Sequence, residues 1–351
     1  MSNPVSLYDM ESMAKLRMDH TSWEYVAGGA TDEITLRRNR EAFGEIAINP
    51  RFLEELTPHE LSTTVLGQKI DLPIMAAPTG AQFLAHPDAE VGVARGAGAV
   101  GTLTTVATGA SHTVEEIARA ASGPLWFQLY HLHDDVTEFM VKKAAAAGFS
   151  ALCLTIDGVG GGPKERDARN NFNPGAERFW ADLRERPDLL EKAKWDDRHS
   201  RRPTWEKLQW FKSLSSMPLI AKGILTPRDA EKCADRGVDA IVVSNHGARV
   251  IDTTLASIEA LPAIAEAVGD RVEIYLDSGV RRGTDVLKAL ALGARAVLVG
   301  RPIMWGLAID GAAGVQTMFE ILKGELESVM NFTGVSSIHD IDPSMVTLNW
   351  R

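Results

Sequence analysis

The chain has 351 residues, 45% hydrophobic and 24% charged, enough apolar content for a large core and too much for global disorder. Its formal net charge is −10, from 47 acidic and 37 basic residues, which excludes a protein that binds nucleic acid or an anionic membrane through its overall charge. The two cysteines, Cys153 and Cys233, lie far apart in apolar stretches, so neither a disulfide framework nor a zinc cluster is expected, and both read as buried free thiols.

The opening residues are polar and mixed in charge, without the apolar core of a signal peptide. No apolar run reaches the length of a spanning helix. A cytoplasmic protein is the expectation. Residues 1–70 read as helices plus a short hairpin that closes the N-terminal mouth of a barrel.

From about residue 72, short apolar runs alternate with amphipathic segments of helical length. The runs are Ile74–Thr79, Gly101–Val106, Leu125–Tyr130, Ala151–Asp157, Leu219–Lys222, Ala240–Asn245, Glu273–Asp277 and Ala296–Gly300. They are rich in Val, Ile, Leu and Thr and mostly lack polar alternation, the pattern of strands buried on both faces. Between them, Thr137–Ala147, Pro227–Arg236 and Thr284–Leu292 carry a helical period. Eight strand–helix units within roughly 250 residues predict an α/β fold, a (β/α)8 TIM barrel, with residues 1–351 forming one domain. Residues 173–204 interrupt the rhythm as a polar insertion after strand four, read as a lid. In the last helix Val315, Met318, Phe319, Leu322, Leu326 and Val329 share one face, read as packing.

Barrel enzymes carry their chemistry at the C-terminal ends of the strands. Ser244-Asn245-His246-Gly247-Ala248-Arg249 follows the sixth strand, and supplies a base suited to neutral pH and an Arg that can fork a carboxylate. Asp277-Ser278-Gly279-Val280-Arg281 follows the seventh strand and Gly300-Arg301 the eighth. Glycines let backbone N–H groups approach an anion, and arginines in these two loops of an acidic protein point to a phosphate. Lys222 ends the fifth strand, where a buried ammonium needs an anion or an electron-rich ring. Gln128, Tyr130, Thr155 and Asp157 end the third and fourth strands, a ring of polar groups suited to a large polar cofactor.

These segments, with YVAGGATDEITLRRNREAF, LPIMAAPTGAQFLAHPDAE, WFQLY, LTID and KGILTPRDA, resemble the FMN-dependent α-hydroxy-acid oxidase and dehydrogenase family over nearly the whole chain. That family includes glycolate oxidase, lactate oxidase and mandelate dehydrogenase. The resemblance implies an FMN enzyme that oxidises a 2-hydroxy acid to a 2-oxo acid, passing electrons to O2 or another carrier. It also implies a homotetramer. His246 would be the base and Asp157 its ion-pair partner. Arg249 would grip the substrate carboxylate, with Tyr25 and Tyr130 bonding the carboxylate or the reacting hydroxyl. Ala77, Pro78, Thr79 and Gly80 would run behind the isoalloxazine ring, with Gln128, Thr155, Lys222 and Ser244 around its polar edge. Asp277 would reach the ribityl chain. Gly279, Arg281, Gly300 and Arg301 would hold the phosphate.

The sequence departs from the family pattern in several places. The usual Gly-Arg-Arg-Glu stretch reads Gly162-Pro163-Lys164-Glu165, so Lys164 replaces a carboxylate-binding Arg and loses its planar fork. Gly160, Gly161 and Gly162 replace bulkier residues. Ala107 and Gly109 stand where glycolate oxidase has a Ser and a Trp. Ser278 replaces the middle Gly of Asp-Gly-Gly, and Gly80 an Ala of many oxidases. These changes predict a pocket unlike that of glycolate oxidase, for a bulkier or less typical substrate. Three other readings compete: oxidation of a 2-amino or other activated C–H centre in a larger metabolite, a flavin-assisted isomerase, and a non-catalytic flavoprotein. Arg37-Arg38-Asn39-Arg40 and Arg201-Arg202 read as solvated faces. His131 and His133 lack an evident third ligand, so no metal site is expected.

Overall fold

Eight buried runs of aliphatic and β-branched residues pair in parallel and close on themselves in the computed structural model, which describes residues 3–158, 162–175, 178–194 and 202–349. Three helices precede them: α1 (Leu7–Arg17), α2 (His20–Ala27) and α3 (Ile34–Gly44). Asp19 caps α2 by accepting the Ser22 N–H, and the Ser22 hydrogen bonds hold its carboxyl down at about 2. Strand β1 (Ile46–Ile48) pairs with β12 (Val346–Leu348), so the segment after α3 is stitched to the last strand. The hairpin β2 (Thr63–Val65) and β3 (Gln68–Ile70) comes next in the chain.

The barrel strands are β4 (Ile74–Ala76), β5 (Thr104–Ala107), β6 (Leu125–Leu129), β7 (Ala151–Thr155), β8 (Leu219–Ile224), β9 (Ala240–Val243), β10 (Glu273–Leu276) and β11 (Ala296–Val299). Each pairs with its neighbour in the chain, and β11 returns to β4 through Val297 opposite Ile74. All eight predicted runs therefore form strands. Several runs extend past the ladders: Thr79, Tyr130, Asp157, Asn245, Asp277 and Gly300 lie just beyond the regular pairing, at the C-terminal mouth. The second run starts at Thr104 rather than Gly101, because Gly101 is a turn residue at φ 69.

Outside the strands lie α4 (Ala89–Ala99), α5 (Val114–Ala120), α6 (Asp134–Ala146), α7 (Glu165–Arg169), α8 (Pro187–Lys194), α9 (Leu208–Ser213), α10 (Pro227–Asp235), α11 (Ser257–Val268) and α12 (Gly283–Ala291). Sequence signals set several starts: Thr113 and Glu116 form a capping box on α5, and Thr226 caps α10 with Pro227 in its first turn. The last helix, α13 (Arg301–Thr333), is broken at Asp310 and Gly311. Its predicted face, Val315 to Val329, is buried as expected.

The hairpin closes the N-terminal mouth. Val65 and Ile70 pack with Met75, Trp126, Cys153 and Tyr275 in the barrel interior. The helices preceding it do not share that role: α2 lies at the opposite, C-terminal mouth, where Tyr25 and Val26 enter the main cavity. Cys153 and Cys233 are buried free thiols. The insertion is less polar than it reads. Ala181, Leu183 and Leu189 are buried, Ala181 N–H donates to the Ala110 carbonyl at 3.1 Å, and Asp182 accepts from Val114 N–H and Lys143. Gly160, Gly161, Arg201 and the stretch 195–200 of the insertion lie outside the described residues. No described helix is long and apolar enough to cross a membrane.

Candidate active site

A cavity of about 580 Å³ opens at the C-terminal mouth. It brings together Tyr25, Ala77, Pro78, Thr79, Gly80, Gln128, Tyr130, Thr155, Lys164, Lys222, His246, Arg249, Asp277, Gly279, Arg281, Gly300 and Arg301, contributed by segments scattered from α2 to the start of α13. Of the residues singled out on sequence, Asp157 and Ser244 stand just behind this lining, and each bonds a residue in it.

His246 is the junction. Its Nδ1 lies 2.9 Å from Asp157 Oδ1 and its Nε2 lies 3.1 Å from the Tyr130 hydroxyl. Asp157 can only accept when ionised, so Nδ1 carries a proton, and in the neutral imidazole Nε2 is the acceptor beside the Tyr130 hydroxyl. Burial pushes the Asp157 carboxyl up, but its interaction with His246 and the Lys222 charge outweigh it and the carboxyl stays below its ordinary range. Gly223 makes room for this pair: it sits at φ 109 in a strand irregularity, and a Cβ there would meet the Asp157 carboxyl carbon at 2.6 Å. Burial drives the Tyr130 phenol well above its usual value, so it remains a hydroxyl donor.

The turn bearing His246 is left-handed throughout: His246, Gly247 and Ala248 have φ 59, 63 and 60. Two non-glycine residues in that region are strained, and side chains hold them there. Ser244 Oγ accepts the His246 N–H, Ser278 Oγ the Gly247 N–H, and Asn245 Oδ1 the Ala248 N–H, at 3.0, 2.9 and 3.1 Å. Asn245 is itself clasped by Asn39 of α3 in a reciprocal amide pair at 3.0 and 2.7 Å.

That clasp corrects the expectation of a solvated face at Arg37–Arg40. Asn39 is buried, Arg38 pairs with Glu45 and Glu259, and Arg40 reaches the Gly279 carbonyl and Asp285. The run therefore braces both the histidine turn and the glycine loop after β10. Gly279 is at φ 97, and a Cβ on it would lie 2.1 Å from the Asn39 carbonyl oxygen, so no side chain fits there.

Lys222 is fully inside. Its Nζ is 3.1 Å from Asp277 Oδ2 and 3.0 Å from Ser244 Oγ. Burial disfavours the ammonium, but the Asp277 and Asp157 carboxylates overcome it and keep the charge. Thr108, unremarked on sequence, fixes the neighbouring strand end. Its hydroxyl donates to the Gln128 carbonyl and accepts the Tyr130 N–H, while Gln128 bonds the Thr155 hydroxyl at 2.9 Å.

The charge balance of the cavity opposes that of the chain. Five cations line it, Lys164, Lys222, Arg249, Arg281 and Arg301, against one lining carboxylate among the described residues, Asp277. Burial pushes the Arg281 guanidinium down to about 10, and desolvation with the Arg249 and Arg281 charges pushes Arg301 far below its usual value. Arg301 also does more than line the cavity: it donates to the carbonyls of Val26, Gly247 and Gly28, tying α2 to the histidine turn. Such buried cations call for an anion, and Gly279, Gly300 and the N-terminus of α13 lie beside them.

Arg249 donates through Nη1 to the Tyr25 and Gly28 carbonyls, while its buried Nη2 has no protein partner among the described residues. It lies over the Tyr25 ring, as does Lys164, at 4.7 and 5.8 Å from the centroid. Burial and the Arg249 charge bring the Lys164 ammonium down to about 8. Arg166 is not available as a substitute ligand, because Glu24 and Glu33 hold it. Phe179, Trp180 and Pro203 of the insertion, with Leu132, complete the wall. A Cβ on Gly109 would meet Phe179 at 3.3 Å, so the Phe179 ring packs closely against the backbone at that position. His131 is bonded to Asp134 and packed on Trp210 and Phe211.

Residues 14–348 match the family model described as FMN-dependent dehydrogenase. The L-lactate oxidase of Nostoc sp. is 41% identical over 99% of this chain and 99% of that protein. Glycolate oxidase 1 of Oryza sativa subsp. indica is 40% identical over 97% of this chain and 95% of that protein. A crystal structure of mandelate oxidase with benzoyl-formic acid superposes with a TM-score of 0.89 at 36% identity, covering 98% of each chain. The matched region holds the histidine turn, the arginine-bearing loops after β10 and β11 and every strand of the barrel, and the chain belongs to the FMN-dependent dehydrogenase family, the FMN enzymes that oxidise 2-hydroxy acids.

Proposed function

We propose that this protein oxidises a 2-hydroxy acid with a bulky, largely apolar side chain to the 2-oxo acid, with His246 as the base and dioxygen as the acceptor. The carrying observation is His246 itself, whose Nε2 faces the cavity while Asp157 holds Nδ1. Arg249 stands in the same cavity with an unpartnered guanidinium nitrogen suited to a carboxylate.

Bound FMN supplies the two-electron acceptor that no side chain here can provide. Arg281, Arg301, Gly279 and Gly300 would hold its phosphate, Asp277 its ribityl chain, and Lys222, Ser244, Gln128 and Thr155 the polar edge of its ring. Ala77, Pro78, Thr79 and Gly80 would back the ring. On the substrate side, Arg249, Lys164 and Tyr25 receive the carboxylate and orient the molecule. Tyr130 donates to the substrate oxygen. His246 takes the hydroxyl proton on Nε2, and Asp157 stabilises the imidazolium that results. Base catalysis of this kind contributes about 10²–10⁴-fold. Fixed orientation and the Lys222 charge add to it.

The bulky side chain is supported by Phe179 and Trp180 in the cavity wall, and by the likeness to a mandelate oxidase seen with benzoyl-formic acid. The acceptor is supported by the oxidases among the relatives. A cytoplasmic homotetramer acting as one domain over residues 1–351 completes the proposal; fractionation and light scattering test it. The activity is tested by anaerobic mixing with glycolate, lactate, mandelate and amino-acid analogues while flavin absorbance is monitored. Mandelate should bleach the flavin fastest, and air should restore the colour with release of hydrogen peroxide. Bleaching by none of the hydroxy acids would overturn the reading.

A further inference from the structure

We infer that Ser278 is a positioning residue for the reaction, its hydroxyl holding the left-handed turn that presents His246. The inference rests on the proposed role of His246 as base. Three successive N–H groups of that turn are held by three side chains. Ser244 and Asn245 belong to the same segment as the turn. Ser278 comes from the next strand end and takes the middle one, Gly247 N–H, at 2.9 Å. Its own O–H donates to Asp277 Oδ1 at 2.6 Å, which fixes the direction of its lone pairs toward Gly247. Ser278 therefore gives the histidine turn a second link to the Asp277–Lys222 pair, beside the one that runs from Lys222 through Ser244 to the His246 N–H.

The backbone gives a second, independent indication. Ser278 is at φ 74, a conformation in which a side chain is unfavourable and glycine is free. Glycine would adopt this conformation freely, so serine is the harder residue to accommodate. A strained residue persists where its side chain is needed. Here the observable need is the one N–H of the turn that neither Ser244 nor Asn245 reaches.

The test separates hydroxyl from backbone. Ser278→Ala keeps the strain and removes the hydroxyl; Ser278→Gly removes both. Amide hydrogen exchange over residues 244–250 of the resting holoenzyme should quicken at Gly247 in both variants. Anaerobic flavin reduction should slow in both by about tenfold, the order expected for losing one hydrogen bond that orients a base, while substrate KM stays unchanged. Ser278→Gly should retain FMN and melt no lower than the wild type. Unchanged exchange at Gly247 overturns the inference, as does normal flavin reduction in both variants. Slowing confined to Ser278→Ala also overturns it, since backbone strain would then be the cause. A wild type that no 2-hydroxy acid reduces would instead overturn the role of His246, and the exchange measurement would still read the Ser278 contact alone.

Discussion

The two mouths of the barrel use the same strands for different ends. At the N-terminal mouth, Val65 and Ile70 of the hairpin close over Met75, Trp126 and Tyr275, and the ring of Trp126 meets that of Tyr275 at 5.3 Å between centroids. At the C-terminal mouth, five cations, a strained histidine turn and a buried acid–base pair face one cavity. One end is close-packed and apolar, so substitutions there cost stability through lost packing. The other concentrates buried charge and left-handed backbone, which disfavour folding and are held by Asn39, Arg40 and Ser278. The lesson is that a stable bottom allows a strained top.

Three substitutions would break or sharpen this contrast. Trp126→Ala should lower stability by about 3–5 kcal/mol, the range for truncating a large buried aromatic. Denaturant melts would measure it, and flavin reduction per folded molecule should hardly change. A large kinetic defect would mean that the two ends are coupled. His246→Gln should do the reverse: FMN and the melting temperature are kept while the flavin-reduction rate falls by at least ~10²-fold. Stopped-flow absorbance reads it, and near-normal reduction would show that another group takes the proton. Arg301→Ala should weaken FMN binding by about 1–3 kcal/mol, the loss of a charge-assisted hydrogen bond. Flavin fluorescence titration checks it. Unaltered affinity would assign Arg301 wholly to the Val26, Gly28 and Gly247 carbonyls.

The barrel was legible because strands buried on both faces leave continuous apolar runs, and the residues closing each run fall at one mouth whatever the loops do. His246, Asp157 and Lys222 were readable on that ground. Asn39 and Arg40 were not, because a charged stretch on a helix carries no sign of what the helix will face. Only the closed fold brings Asn39 to Asn245 across more than half the chain. Ser278 showed on sequence as a departure from a glycine, but its partner Gly247 belongs to another strand end. Phe179 and Trp180 were hidden for a related reason: no periodicity tells which part of an insertion folds over the cavity. Lys164 was legible through family resemblance alone, since a lysine after a glycine run has no signature of its own.

Lys164 gives the smallest effect and the finest test of the upper mouth. Burial and the Arg249 charge lower its pKa to about 8. Below that pH the ammonium is present and, on the proposed reading, shares the substrate carboxylate with Arg249. Above it the amine is neutral, and Arg249 alone carries charge. Substrate affinity should therefore fall as pH rises through about 8, seen as a declining limb in kcat/KM. A bound carboxylate favours the ammonium, so the corresponding break in kcat should lie at higher pH. Lys164→Met should raise KM at pH 7 by about tenfold, which corresponds to about 1.4 kcal/mol, and should abolish the alkaline limb of kcat/KM. Lys164→Arg should abolish the same limb while keeping KM low, because its charge persists at every pH used. Both variants should hold FMN as the wild type does. If the alkaline limb survives in Lys164→Met, a different group sets it and Lys164 does not meet the carboxylate. Arg249 would then bind the substrate without a second cation.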